Sequence, residues 1–144
     1  MEDQILKNSC ACLHVRRADR QLSQMYDAYI RPAGIRSTQF AMLKCVAALP
    51  DPFISDIGRV LNMDQTTVTR NIEKLEKAGL VATRPHPDDP RKKQVALSTL
   101  GEEKIAEVGP LWKAAQQRIV SHMGEEDFDC LLRLLNKLMQ GTRE

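Results

Sequence analysis

The stretch "LNMDQTTVTRNIEKLEKAGLVATRPHPDDPRKKQVALS", residues 61–98, changes character three times. Asp64 is a good helix N-cap, Val68, Ile72 and Leu75 follow at i, i+4 and i+7, and Gly79 is placed to stop the helix. The outward face of that helix is Gln65, Thr66, Thr69, Arg70, Glu73 and Lys74, short-chained at its start and basic further on. Two extended runs, "LVATRP" and "KKQVALS", then flank the loop "HPDDPRK" and read as a hairpin with a long tip. Two prolines, two aspartates and the run Arg91, Lys92, Lys93 make this segment a poor helix and a poor buried core. It suits a charged loop that puts cations where something negative will be.

Working toward the N-terminus, Ile54 to Leu61 fits a short helix, and "PDP" at Pro50–Pro52 closes the helix before it. That preceding helix is expected from a Ser37 cap through Leu49, with Phe40, Leu43, Val46 and Ala47 turned inward. From Ile5 to Ile30 there is no Pro or Gly, and Ala11, Val15, Ala18, Leu22, Met25 and Tyr29 recur at helical spacing. One long helix is predicted, ended by Pro32 and Gly34.

Toward the C-terminus, Thr99 and Glu102 suggest a capping box for a helix whose stripe is Ile105, Val108, Trp112, Ala115 and Ile119, with a kink at Pro110. Gly124 separates it from a last helix carrying Phe128, Leu131, Leu132, Leu135, Leu138 and Met139 on one side. The fold class expected is mainly α with a small β-hairpin.

Composition narrows the function classes. A chain of 144 residues with a net charge of +2 and 4% aromatics is one ordinary domain-sized unit whose charge placement, not its total, must decide its partners. No run approaches the roughly 18 apolar residues of a spanning helix, and "MEDQILKNSC" opens with acids where a secretory leader carries cations, so a cytoplasmic location away from membranes is expected. Cys10, Cys12, Cys45 and Cys130 form no CxxC pair and are expected as free thiols. Cys10 and His14 stand at i and i+4, but two ligands are not a metal site. No Ser-His-Asp order, phosphate loop or carboxylate pair argues for catalysis, so neither an enzyme nor a cofactor is expected. His86 and His122 read as exposed.

A short helix, a tight turn, a second helix with a polar face and a two-stranded hairpin is the order of a winged helix-turn-helix. In that architecture Gln65, Thr66, Thr67 and Thr69 approach base edges, where Thr methyls touch thymine and Gln bridges to adenine. Arg70, Lys74 and Lys77 reach phosphates. Arg91, Lys92 and Lys93 at the hairpin tip fit the minor groove, with Asp89 holding the Arg91 side chain. A solvated helix face would explain the first set alone; the basic hairpin that follows makes it the weaker explanation.

"MDQTTVTRNIEKLEKAGLVATRPHPDDPRKKQVALSTLGEE" resembles the core of the MarR family of bacterial transcription regulators. Asp89, Arg91 and Lys93 match the family's wing pattern Asp-x-Arg-(Ser/Thr/Ala)-(Lys/Arg), while Lys92 replaces the usual small residue and adds a cation. Ser98 and Thr99 with Gly101 match the start of the helix after the wing. The resemblance implies a homodimer built from residues 1–36 and 100–144, a winged DNA-binding domain over 37–99, and double-stranded DNA with an inverted-repeat operator as partner. It also implies a repressor released by a small aromatic or amphipathic ligand. The crevice for that ligand is expected near Cys12, Arg16, Tyr26, Phe40, Leu43, Lys44, Leu111 and Trp112, with Arg16 or Lys44 pairing a carboxylate.

An alternative signal is oxidation. The spacing from Cys12 to Tyr26 and Gly34 is similar to the hydroperoxide-sensing branch of the family, although Arg16 stands where that branch has a second tyrosine. Cys10 and Cys12, if both lie in one regular helix, point to different faces and cannot bridge each other. Two further classes stay open: a winged domain used only for protein contacts, which a salt-dependent gel shift separates, and a thiol enzyme, which turnover beyond one equivalent of oxidant separates.

Overall fold

A computed structural model describes Gln4, Lys7 and residues 10–143. Helix α1 runs Ala11–Ile30, a 3-10 turn covers Arg31–Ala33, α2 is Ser37–Ala48, α3 is Ile54–Leu61 and α4 is Gln65–Lys77. Strands β1, Val81–Pro85, and β2, Lys93–Leu97, form an antiparallel pair, followed by α5, Thr99–Met123, and α6, Glu125–Gly141. The mainly helical architecture with one hairpin is the winged helix-turn-helix expected.

Local chemistry explains the boundaries. Asp64 Oδ1 accepts the Thr67 N–H at 2.7 Å and caps α4, and Gly79 at φ +75° ends it. The turn between α3 and α4 passes through Asn62 at φ 54°, a left-handed position that Asn tolerates, with the Met63 N–H returning to the Gly58 carbonyl at 2.8 Å. Two caps lie one residue earlier than the sequence suggested. Arg36 is the N-cap of α2, its N–H taken by Gln39 Oε1 at 3.0 Å, and the Ser37 N–H goes instead to Asp27 Oδ1 of α1 at 2.7 Å. Ser98, not Thr99, caps α5 through the Gly101 N–H at 3.0 Å.

The predicted first helix begins later than Ile5. Cys10 is extended, with φ −82° and ψ 106°, and α1 starts at Ala11; Ile5, Leu6, Asn8 and Ser9 lie outside the described residues. Helix α5 runs through Pro110 and continues to Met123.

Two apolar clusters hold the chain. The larger joins Met42, Leu43, Cys45 and Val46 of α2 to Ile57, Val68, Ile72 and Leu75 of the helix-turn-helix and to Leu80, Val81 and Val95 at the hairpin. Ala47, expected inward, is exposed, and Met42 and Cys45 take the buried positions. The smaller cluster is Ile30, Ala33, Phe40 and Val108, where α1 and α5 meet α2. Helix α6 has no buried residue, and Leu132, Leu138 and Met139 of its apolar side are exposed.

The hairpin meets α5 at a point that admits no side chain. A methyl group on Gly101 would collide with the Leu80 carbonyl oxygen, which also accepts the Ser98 N–H at 3.1 Å, whereas Gly109 in the same helix has open space around it. Gly101→Ala should therefore cost about 1–3 kcal/mol. Gly109→Ala should stabilise by roughly 0.5–1 kcal/mol through helix propensity alone. Urea unfolding of both variants at one protein concentration checks the opposite signs.

Candidate nucleic-acid interface

Helix α4 is amphipathic in the strict sense: Val68, Ile72 and Leu75 are buried, so residues on the far side must face outward. Gln65, Thr66, Arg70 and Lys74 are exposed and Thr69 is half-buried. Thr67 is already engaged, its N–H and hydroxyl both donated to the Asp64 carboxylate and its carbonyl accepting Asn71 Nδ2 at 2.9 Å. The two bonds from Thr67, the backbone one foremost, hold the Asp64 carboxyl below the usual carboxylate range, and the Arg70 charge adds a smaller pull.

The hairpin brings its cations to the same place. A groove of about 330 Å³ is lined by Gln65, Thr69, Arg91, Lys92 and Lys93, with Phe53 and Ser55 on its third wall. Five of the residues expected to face nucleic acid thus share one surface. Ser55 was not visible as part of it in the sequence, because its place depends on the packing of α3 against the wing. The Arg91 side chain is 93% exposed.

Asp89 holds Arg91 as expected, and it also bonds the loop backbone. Its Oδ1 accepts the Arg91 backbone N–H at 3.1 Å, while Arg91 Nε lies at 3.5 Å, the outer limit of a useful bond. The Lys92 N–H donates to the Asp89 carbonyl at 2.9 Å and the His86 N–H to the Lys92 carbonyl at 2.7 Å. Asp89 therefore shapes the loop backbone and also pairs with the Arg91 side chain, which stays largely exposed. His86 is half-buried, its ring centroid 5.6 Å from that of Phe53, where exposure was expected; His122 is exposed.

Residues 35–93 match the model of the MarR family. Over 126 residues the chain is 25% identical to the uncharacterised HTH-type transcriptional regulator YwoH of Bacillus subtilis, covering 88% of this chain and 91% of that one. The structure of the M. tuberculosis transcriptional regulator MosR in complex with DNA is similar at 30% identity and a TM-score of 0.81, over 94% of this chain and 100% of that one. This chain belongs to the MarR family. PcaV of Streptomyces coelicolor, solved with its natural ligand, shares the fold at 16% identity and a TM-score of 0.84, over 94% and 95% of the two chains. The protein is a DNA-binding transcription regulator of the MarR type, not an enzyme. Among the described residues no helix is long and apolar enough to cross a membrane.

The family resemblance also implied a ligand crevice, and the structure sorts its candidates. Tyr26, Phe40 and Trp112 come together, with Trp112 6.3 Å from the Tyr26 ring centroid and 6.4 Å from that of Phe40. Tyr26 Oη donates to Gln116 Oε1 at 2.6 Å, and burial pushes the phenol upward from its ordinary pKa, so it stays protonated. Beside them lies a cleft of about 300 Å³, lined by Ser23, Tyr26, Ser37, Thr38, Met63 and Trp112 among others. Leu43 is fully buried in the winged core and is not part of this lining. Leu111 packs behind it against the smaller cluster, and Lys44 is exposed outside it. Neither Arg16 nor Lys44 lines the cleft, and among the described residues no charged side chain lines it to pair a carboxylate. Ser23, Ser37 and Thr38 went unrecognised because only the α1–α2 crossing brings their hydroxyls together.

Cys12 and Arg16 belong elsewhere. Both are exposed on α1, and the 14 residues from Cys12 to Tyr26 correspond to about 21 Å of helix, so the two do not meet within one chain. Since Cys10 is extended, it does not share a regular helix with Cys12, and the geometric bar to their bridging does not apply. His14 Nδ1 donates to the Cys10 carbonyl at 2.8 Å. Among the described residues no three His, Cys, Asp or Glu side chains gather for a metal. Cys45 is buried in the winged core, and burial first, then the Asp56 charge, pushes its thiol pKa up. Less thiolate forms at neutral pH, so Cys45 should resist iodoacetamide in the folded protein while exposed Cys12 reacts; mass mapping with and without urea tests this.

Proposed function

We propose that this regulator is a cytoplasmic homodimeric repressor that binds an inverted-repeat operator and is released when a small aromatic or amphipathic molecule enters the cleft beside Trp112. The observation that carries the DNA half is the shared groove: the start of α4 and the wing cations open onto one surface. On this reading Gln65, Thr66 and Thr69 meet base edges, with Thr67 supporting the cap. Arg70, Lys74, Lys92 and Lys93 meet phosphates, Arg91 enters the minor groove, and Asp89 shapes the tip that presents it.

The helices outside residues 37–99 supply the dimer. Helices α1, α5 and α6 leave an open apolar furrow of about 770 Å³, lined by Leu22, Met25, Ile119, Met123 and Leu131. With Leu132, Leu138 and Met139 also exposed, a second copy is the natural cover, because a soluble monomer seldom leaves so continuous an apolar face to water. Ligand release is favoured over Cys12 oxidation by the cleft itself. Its aromatic wall and neutral hydroxyls suit a flat molecule with a hydrogen-bonding group.

Footprinting should show two half-sites about one helical turn, roughly 10 bp, apart. A single asymmetric half-site at saturation contradicts the dimer. Arg91→Ala should weaken binding to all sequences by a similar factor and lower the salt slope, whereas Gln65→Ala should change base preference by about 1–3 kcal/mol at one position. An unchanged salt slope in Arg91→Ala removes the wing from the interface.

Trp112 is the only tryptophan in the chain, so its emission reports on the cleft directly. Titrating phenols and aromatic acids should quench or shift that emission over the same concentrations that release operator DNA. Release by peroxide in wild type but not in Cys12→Ser, without any ligand effect on Trp112, would favour the oxidative alternative.

A further inference from the structure

We propose that Glu76 is a positioning residue for DNA binding, fixing the angle between the recognition helix α4 and the wing. The inference rests on the proposed reading that the wing touches DNA. Glu76 sits in the last turn of α4 and Thr83 in the middle of β1, on the two sides of the turn at Gly79. A single oxygen, Glu76 Oε2, accepts both the Thr83 backbone N–H at 2.8 Å and the Thr83 hydroxyl at 2.6 Å.

Sheet geometry explains why that N–H is available. Thr83 pairs with Val95 across the hairpin. The Val95 N–H points away from β1, to the Pro52 carbonyl at 2.8 Å, and the Thr83 N–H points away from β2, as in a non-hydrogen-bonded antiparallel pair. Each outer edge of the hairpin is thus tied to a different part of the helix-turn-helix. Around Val95, Gln94 Nε2 reinforces the tie to the α2–α3 loop by donating to the Asp51 carbonyl at 3.1 Å. On the β1 edge the Glu76 carboxylate makes the link. The wing has no other described side-chain bond to α4, so this one sets how its tip is aimed relative to Gln65 and Thr69.

Electrostatics alone gives the opposite expectation. Glu76 is exposed between Lys74 and Lys77 on a helix that meets phosphates, where a negative charge opposes binding. Glu73, one turn earlier and also exposed, carries the same charge and makes none of these bonds, which makes it the control.

Fluorescence anisotropy on an operator duplex across a salt series, with thermal unfolding to confirm the fold of each variant, separates the two effects. Glu76→Ala should weaken binding on the order of tenfold and lower the salt slope, although it removes a negative charge. Glu76→Gln, which keeps an oxygen acceptor at the same reach, should recover most of the loss, and Thr83→Val should weaken binding without altering charge. Glu73→Ala should strengthen it. Arg91→Ala should cost less in the Glu76→Ala background than alone, because a mis-aimed wing has already lost that contact. If Glu76→Ala binds as tightly as Glu73→Ala while Arg91→Ala alone weakens binding, this inference fails and the wing reading stands. If Arg91→Ala is silent, both fall.

Discussion

A two-stranded hairpin is at best marginally stable in water, so everything that depends on the wing depends on what the hairpin is fastened to. Within the strands only Val81 and Val95 are buried, both in the cluster that also holds Ile72 and Leu75 of α4. That shared burial is the constraint from which the proposed DNA-facing surface follows. It presses the hairpin against the back of the recognition helix, so the exposed face of α4 and the cations of the tip emerge side by side. The loop "HPDDPRK" could not do this alone. Its charges are solvated, and its order comes from backbone bonds such as Lys92 N–H to the Asp89 carbonyl.

The second consequence concerns size. The cluster joining α1 and α5 to α2 has only Ile30, Ala33, Phe40 and Val108 fully inside, a small core for helices of 20 and 25 residues. Much of what those helices and α6 could bury is left at the surface, including Leu22, Leu132 and Met139. Fully burying one such side chain is worth about 1.5–3 kcal/mol, so a face of this kind supplies a strong drive for association. The proposed dimer is therefore also the proposed source of much of the helical region's stability, which makes its unfolding depend on protein concentration.

How much of this was legible depends on the range of the interaction. Val68, Ile72 and Leu75 are read correctly because burial at i, i+4 and i+7 is a property of one helix, and Asp64 because a cap reaches only three residues ahead. The caps at Ser37 and Thr99 were misplaced by one residue for a related reason. Several adjacent side chains can each cap a helix, and the choice is made by partners elsewhere, Asp27 for the Ser37 N–H and the Gly79 carbonyl for the Ser98 hydroxyl. Leu43, which the resemblance placed in the crevice with Phe40, is buried in the winged core, while Phe40 belongs to the smaller cluster; which of the two cores an inward residue of α2 enters depends on the elements packed against it. The hydroxyl lining of the cleft, the tilted Phe53–His86 ring contact and the Glu76–Thr83 tie all need elements from separate parts of the chain to pack first.

The placement of the cleft bears on how occupancy reaches the DNA surface. Ser37 and Thr38, which line it, form the first turn of α2, while Met42, Leu43 and Val46 further along the same helix enter the core on which the hairpin rests. Helix α2 therefore has its start at the cleft and its far half under the wing. Its start is tied to the helical region by the Ser37 N–H on Asp27, and Lys104 Nζ holds the Ala33 carbonyl nearby at 2.8 Å. On the proposed reading an occupant that wedges between Trp112 and that first turn rotates α2 about these ties. Close-packed interiors deform little, so the winged core follows as a body, and two recognition helices spaced for one turn of DNA lose that spacing together.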